Sequence, residues 1–258
     1  MIVEFIGSTG AGKTTLIAEV ERSLRACGPH AARYELATNL FGLRRVQHPT
    51  LRNVIQDVRG LPSFVGSLHR HRAFCAFAWT MLARHQRGRL VTANYVRSII
   101  RKIGTYEFVK RRGRDRVVLV DEGTLLAAHL LFVFTGIELC QSDIETFARL
   151  VPLPDVVVYV TAPVERLVER SLRRTDVRRE MRSQDPLLVE QHVRRAAETF
   201  DRLTETDVIR NRVFVVDNSD STSGERRIIA DQIAAFITQS RPHREAASLA
   251  VGGAWPAL

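Results

Sequence analysis

The chain has 258 residues, 45% hydrophobic and 26% charged, which is the size and balance of a soluble globular protein with a real core, built as one large domain or two small ones. Its three cysteines, Cys27, Cys75 and Cys140, are odd in number and form no close pair, which argues against a disulfide framework and suits a reducing cytoplasm. The formal net charge of +10 comes from 38 basic residues against 28 acidic ones, only Lys13, Lys102 and Lys110 of the basic set being lysine, and it favours anionic partners: nucleotides, phosphorylated metabolites, nucleic acid or an anionic membrane surface.

Ile2, Val3, Phe5 and Ile6 read as a short strand that begins too early to leave room for a signal peptide. The segment Gly7-Ser8-Thr9-Gly10-Ala11-Gly12-Lys13-Thr14 follows, and it fits the phosphate-binding loop pattern of Gly, four residues, Gly, Lys, then Ser or Thr. Glycines there free the backbone so that successive N–H groups point inward at phosphate oxygens. Leu16, Ile17, Val20 and Leu24 place a helix directly after the loop, and its N-terminus adds a positive dipole end. In this reading Gly7 through Thr14, with Thr15 next to them, cradle a nucleotide. Lys13 reaches the β- and γ-phosphates, and Thr14 offers its hydroxyl to Mg²⁺.

Gly28-Pro29 stops this helix near Cys27, and Ala31 to Leu36 reads as a second strand. From about 38 to 114 the pattern is helical, with segments near 50–59, 63–87 and 90–112 separated by Gly60-Leu61-Pro62 and Gly88. This insert carries Phe41, Phe64, Phe74, Phe77, Trp79, Tyr95, Tyr106 and Phe108, read mainly as core with one or two left for an acceptor pocket. His69 and His71 point to different faces of a helix, so His69, His71, Cys75 and His85 are not read as a metal site. Lys110 to Arg116 reads as a solvated helix end.

Arg116 to Val120 is an apolar strand ending in Asp121-Glu122-Gly123. An acid at that position normally holds Mg²⁺, which makes Asp121 a candidate metal group beside Thr14. Glu122 is a candidate catalytic base, a group beside the Mg²⁺, or a structural acid. Helices follow at about 124–135 and 141–150. The longest apolar run, 125–137, contains His129 and is too short to span a bilayer, so no membrane span is expected and the location is read as cytoplasmic.

Val156 to Val160 is the next strand, and Pro163 suits the first turn of a helix whose inner face is Val164, Leu167 and Val168. An arginine-rich stretch follows, Arg166, Arg170, Arg173, Arg174, Arg178, Arg179 and Arg182. Guanidinium forks match the equatorial oxygens of a transferring phosphoryl group, so 170–185 reads as a lid, with Arg170 and Arg174 facing phosphate and Arg178 closing from its mobile part. Asp185-Pro186 starts a long helix with Leu188, Phe200 and Leu203, running to about 209. Val213 to Val216 is the last strand, a helix at about 224–239 closes the unit, and 241–258 is expected to be a mobile tail. Apolar strands alternating with helices mean a parallel sheet covered on both faces, with ligands at the carboxyl ends of the strands, where Gly7, Asp121 and Asp217 fall.

The opening Ile2-Val3-Glu4-Phe5-Ile6-Gly7 into the phosphate loop, the Asp121-Glu122-Gly123 strand end, and Arg166-x-x-x-Arg170 before the arginine-rich stretch resemble the nucleoside and nucleotide kinase group of P-loop proteins, particularly its thymidylate kinase-like members. The resemblance runs from Met1 to about Gln239 and defines a kinase domain of 1–240. It implies an α/β P-loop fold with a five-stranded parallel sheet in order 2-3-1-4-5 and helices on both faces. It also implies ATP as donor with Mg²⁺, a small-molecule acceptor under the 38–114 insert, and the 217–223 loop, with Asp217, beside the adenine. Thymidylate kinases carry Asp-Arg where this chain has Asp121-Glu122, and an Arg-Glu-Pro-like motif where it has Tyr34-Glu35-Leu36, so the acceptor stays open among nucleosides, nucleotides and similar metabolites. Two other functions stand beside this one. A P-loop ATPase coupling hydrolysis to movement would use Glu122 to activate water, although no Leu-Ser-Gly-Gly-Gln signature is present. A polynucleotide kinase would use the net positive charge to hold nucleic acid. Oligomeric state is left open, with a homodimer allowed.

Overall fold

Five short strands, largely apolar apart from a buried acid in the middle of the first, Glu35 in the second and Asp217 at the end of the last, form a single sheet in which every neighbouring pair is parallel. In this computed structural model the described residues are 1–26, 34–37, 49–84, 88–113, 116–134, 138–173, 185–219 and 222–240. The strands are β1 (Ile2–Ile6), β2 (Tyr34–Leu36), β3 (Val117–Val120), β4 (Val156–Thr161) and β5 (Val213–Asp217), in spatial order β2-β3-β1-β4-β5. β1 is central, with Val3 opposite Leu119 on one side and Val156 on the other. Parallel strands need long crossovers, and helices supply them on both faces.

Side-chain alternation along β1 divides the core. Val3 and Phe5 face a cluster with Leu16, Val20 and Leu24 of α1 (Lys13–Ala26) and Ile233 and Ile237 of α9 (Ser223–Gln239). Ile6 faces the opposite cluster with Phe74 and Met81 of α3 (Leu68–Arg84), Leu131 of α5 (Ala127–Phe132), Phe147 of α6 (Gln141–Leu150) and Phe200 of α8 (Pro186–Thr204). α7 (Val164–Leu172) joins the first cluster through Leu167. No helix among the described residues is long and apolar enough to cross a membrane.

The insert departs from the expected breaks. α2 (Pro49–Val65) runs straight through Gly60-Leu61-Pro62, and the chain turns at Gly66 and Ser67, where the Ser67 hydroxyl donates to the Ser63 and Phe64 carbonyls at 2.8 and 3.1 Å. Pro62 removes one helical donor, but contact with α4 (Arg89–Arg112) holds the helix together. The two helices cross where Gly60 meets Gly104, and a Cβ on Gly104 would sit 2.5 Å from the Gly60 carbonyl oxygen. Two other expectations also shift. α5 is only six residues long, because its entry at 124–129 is wound in tight i to i−3 turns. α8 ends at Thr204 rather than about 209, where Thr206 begins a turn, and Leu188 lies on its exposed side. The 31–33 part of the second strand, the 174–184 stretch and the 241–258 tail lie outside the described residues.

The crossing sets a test. A Cβ on Gly60 meets nothing closer than 3.5 Å, whereas one on Gly104 must displace backbone. Gly104→Ala should therefore destabilise the protein by about 1–3 kcal/mol, as overpacking does. Gly60→Ala should be neutral or slightly stabilising through helix propensity. Urea denaturation of both variants checks this, and equal effects would refute the crossing.

Candidate active site

The loop between β1 and α1 takes the shape its glycines allow. Gly7, Gly10 and Gly12 have φ of 141°, 85° and 84°. Space is as restrictive as backbone angle: a Cβ on Gly7 would lie 2.1 Å from the Val160 carbonyl oxygen, and one on Gly12 would lie 2.5 Å from Asn218 Nδ2. The loop is seated from behind by four elements. Asn218, just past β5, donates Nδ2–H to the Ala11 carbonyl at 2.7 Å, while its own backbone N–H donates to Thr161 of β4 at 2.8 Å. Gly10 rests on Leu167 and Ser171 of α7, and the Ser8 hydroxyl donates to the Val193 carbonyl of α8 at 3.4 Å. Within the loop, the Thr9 hydroxyl is buried without a hydrogen-bond partner.

Lys13 curls over this seat, with Nζ donating to the Gly7 and Ser8 carbonyls at 2.9 and 2.8 Å. Thr14 and Thr15 are exposed on the first turn of α1. The Thr14 hydroxyl donates to Asp121 Oδ2 at 3.0 Å, so the two residues expected to share a metal lie together although 107 positions separate them. Burial raises the Asp121 carboxyl above its ordinary range, opposed by the Thr14 hydrogen bond and by the charge of Lys13. A hydroxyl and a carboxylate that gains from a nearby cation are a donor set suited to Mg²⁺. Glu122 is exposed at the strand end, and its carbonyl accepts from Lys102 Nζ at 3.2 Å.

Three residues of this region have roles that sequence reasoning missed. Glu4 lies in the middle of β1 and is 1% exposed. It accepts from the Leu126 backbone N–H at 3.1 Å and from the Thr124 hydroxyl at 3.4 Å, and it thereby holds the turn that follows Asp121 and Glu122. Gly123 is required beneath it, since a Cβ there would meet Glu4 Cδ at 2.3 Å. Burial pushes the Glu4 carboxyl up to about 7, against the opposing charge of Lys102. Lys102 of α4 is itself buried and brings a cation from the insert to Glu4, Asp121 and the Glu122 carbonyl. The signals were an acid inside an apolar strand and a second rare lysine. Asn218 gave no signal at all.

The other expected site residues have partners of their own or lie outside the described residues. The Asp217 carboxylate accepts from the Ser219 N–H at 3.0 Å and from the Ser219 hydroxyl, so it caps its own loop, and Asn218 makes the contact with the phosphate loop. The Arg170 guanidinium donates to the Asn218 carbonyl at 2.8 Å and to the Ser219 carbonyl, which braces that loop against α7. Arg174 and Arg178 lie outside the described residues. In the insert, Phe64 and Phe74 are buried and Trp79 is exposed, while Phe41 lies outside the described residues. His71 Nε2 lies 2.8 Å from the buried Glu107 carboxylate, which joins α3 to α4.

Among solved structures the chain is similar to deoxyadenosine kinase from M. mycoides with bound dATP, at 15% identity and a TM-score of 0.49 over 90% of this chain and 98% of that one. It is also similar to thymidylate kinase from Ehrlichia chaffeensis, at 12% identity and a TM-score of 0.47 over 93% and 98%. A third is shikimate kinase from Acinetobacter baumannii in complex with shikimate, at 18% identity and a TM-score of 0.40 over 93% and 94%. No family model matches the chain, and no curated protein does.

Glu4 gives a pH test. Its folded pKa of about 7 lies above the ordinary 4.5, so the folded protein holds a proton that the unfolded chain releases. The associated stability is present below about pH 4.5 and is lost as pH rises through about 7. That loss is on the order of 3 kcal/mol. Gln cannot titrate, so Glu4→Gln should lack this component. Denaturant melts of both proteins at about pH 5 and about pH 8 read the difference, and identical pH slopes would contradict the assignment.

Proposed function

We propose that this chain is a Mg-ATP-dependent kinase that transfers the γ-phosphoryl group to a small-molecule acceptor, a nucleoside, nucleotide or similar metabolite. The observation that carries the reading is the convergence of Lys13, Thr14 and Asp121 on one glycine-formed loop at the carboxyl edge of the sheet. The loop N–H groups from Ser8 to Thr14, with Thr15 beside them, bind the phosphates. Thr14 and Asp121 would hold Mg²⁺, which when bound neutralises charge on the β- and γ-phosphates. Lys13 stabilises the charge that builds up as the phosphoryl group moves. Asn218 and the Arg170-braced 217–219 segment form the wall beside the adenine. The acceptor enters under the insert, where Lys102 holds the end of β3. Arg174 and Arg178 close from the lid, and 1–240 acts as one kinase domain in the cytoplasm.

The exposed carboxylate of Glu122 supports a second reading, an ATPase in which that acid activates water. The two readings separate when labelled ATP is offered across acceptor classes: a kinase passes label to one acceptor, whereas an ATPase releases phosphate at the same rate without any.

Lys13→Ala should leave the fold intact and lower kcat/KM for ATP by about 10²–10³-fold, the loss expected when one preorganised donor is removed. Retention of wild-type turnover would refute the phosphate-loop assignment. Asp121→Asn should raise the Mg²⁺ concentration needed for half-maximal rate, because an amide is a poorer ligand for a hard cation. Glu122→Gln should lower kcat with little change in that Mg²⁺ dependence if Glu122 is a base. Identical Mg²⁺ titrations and rate losses for the two variants would overturn these separate roles.

A further inference from the structure

Helix α4 ends in three consecutive cations, Lys110, Arg111 and Arg112, all exposed. Arg116 follows them, exposed at the entry to β3, across a turn in which its N–H donates to the Gly113 carbonyl at 3.0 Å. The 110–116 segment carries five cations and one acid, of which Arg114 and Asp115 lie outside the described residues. Two of the cations are held on aromatic faces: Lys110 Nζ lies 5.5 Å from the centroid of the Tyr106 ring, and Arg112 Cζ lies 5.8 Å from that of Phe108. Arg111 reaches back to the turn between α2 and α3, where its guanidinium lies 3.6 Å from the place a Cβ on Gly66 would take. The one acid of α4, Glu107, is buried and already engaged by Arg70 at 3.3 Å and His71 at 2.8 Å. Arginines on other helices pair with a glutamate four positions away, as Arg25, Arg194 and Arg202 do. Lys110, Arg111 and Arg112 form no ion pair with an acid among the described residues. The helix dipole favours a cation in the last turn, but adjacent cations without counter-charge repel one another.

We propose that this face, at the foot of the insert, binds the phosphodiester backbone of a nucleic acid without reading its sequence. Charge complementarity carries the argument. A chain with a negative charge at every nucleotide meets several clustered cations at once and releases its own counterions in doing so. Guanidinium forks fit phosphate oxygens two at a time, and a cation already seated on a ring loses little freedom when it is engaged. Tyr106 and Phe108 are half-buried beneath their cations, and the Tyr106 hydroxyl is fixed on the Leu153 carbonyl at 3.0 Å. Neither ring stands open for a base to stack on, which leaves the backbone as the part that is recognised. Stable attachment to a bilayer needs an inserted apolar group beside the charge. Among the described residues of 106–116 only Lys110, Arg111, Arg112 and Arg116 are exposed, so the segment offers charge alone.

The face adjoins the start of β3, whereas the phosphate loop and Asp121 lie at the carboxyl ends of the strands, so this inference does not depend on the kinase reading. Its test is fluorescence anisotropy of the full chain with a labelled oligo-dT of about 20 nucleotides, from about 50 to about 200 mM KCl. Wild type should bind with a Kd on the order of 10⁻⁶–10⁻⁴ M, and excess ATP should not compete. Lys110→Gln/Arg111→Gln/Arg112→Gln should weaken binding by about 10-fold or more at low salt. It should also flatten the slope of log K against log salt by about 2, since each lost phosphate contact on a single strand removes about 0.7. All three side chains are exposed, so its circular dichroism spectrum should be unchanged. Arg111→Lys/Arg112→Lys keeps the charge and should keep the slope, which separates lost charge from lost packing. No binding at about 50 mM KCl, a slope that the glutamine variant leaves unchanged, or displacement of the oligonucleotide by ATP would overturn the proposal. So would binding to phosphatidylserine vesicles in place of the oligonucleotide, lost in the glutamine variant, because the face would then be a membrane-surface face.

Discussion

A carboxyl group in the middle of a central strand has to be accommodated, and much of the site follows from how Glu4 is. It has no access to water, and β1 is flanked on both sides by apolar strands. Backbone and hydroxyl donors from 124–126 meet one end of it, and the Lys102 charge faces it from the insert. Those contacts fix the turn after β3, and that turn fixes Asp121 opposite Thr14. A buried acid with a buried cation stabilises only when both partners are present, because removal of one leaves the other uncompensated. Lys102 thereby ties the helical insert electrostatically to Glu4 and to Asp121 at the end of β3. Motion of α4 relative to the sheet would be felt at the strand end that carries Asp121 and Glu122.

The loop itself is held from the opposite side. Val160, Leu167 and Asn218 approach Gly7, Gly10 and Gly12 so closely that a side chain at any of the three would collide with backbone or amide. Arg170 then locks the Asn218–Ser219 segment to α7. Its guanidinium donates to the carbonyls of that segment, which makes it a brace between α7 and the turn after β5. This seat is preorganised, so little reorganisation remains when charge arrives.

Several arginines of the described helices are neutralised at the surface. Arg22, Arg25, Arg173, Arg194 and Arg202 each pair with a glutamate three or four positions away on their own helices. Such exposed pairs contribute about 0.3–0.5 kcal/mol apiece and form solvated faces. The two lysines at the site lie apart from that pattern. Lys13 sits on loop carbonyls and Lys102 among acids at the end of β3, so the cations directed at the site are set by burial and position and not by the net charge.

Local rules were enough for the loop and its flanks. The glycine spacing, the apolar strand before it and the helix period after it each concern residues within one turn or one pleat, and the chain itself carries those constraints. The apolar strands likewise announced a sheet covered on both faces, and the acid after Val120 announced its own place at a strand end. Tertiary structure decided what stands across from them. Asn218 reaches Ala11 from 207 positions away, and Thr124 reaches Glu4 from 120. Neither contact leaves a periodic trace, because one buried amide or hydroxyl has no repeat. The same holds for α2. Gly60-Leu61-Pro62 reads locally as a break, yet the helix continues because Gly104 gives its backbone close support. Sequence determined the glycine loop and its flanking strand and helix; packing between distant segments decided which side chains seat the loop, carry the buried charge beside it and bring Thr14 to Asp121.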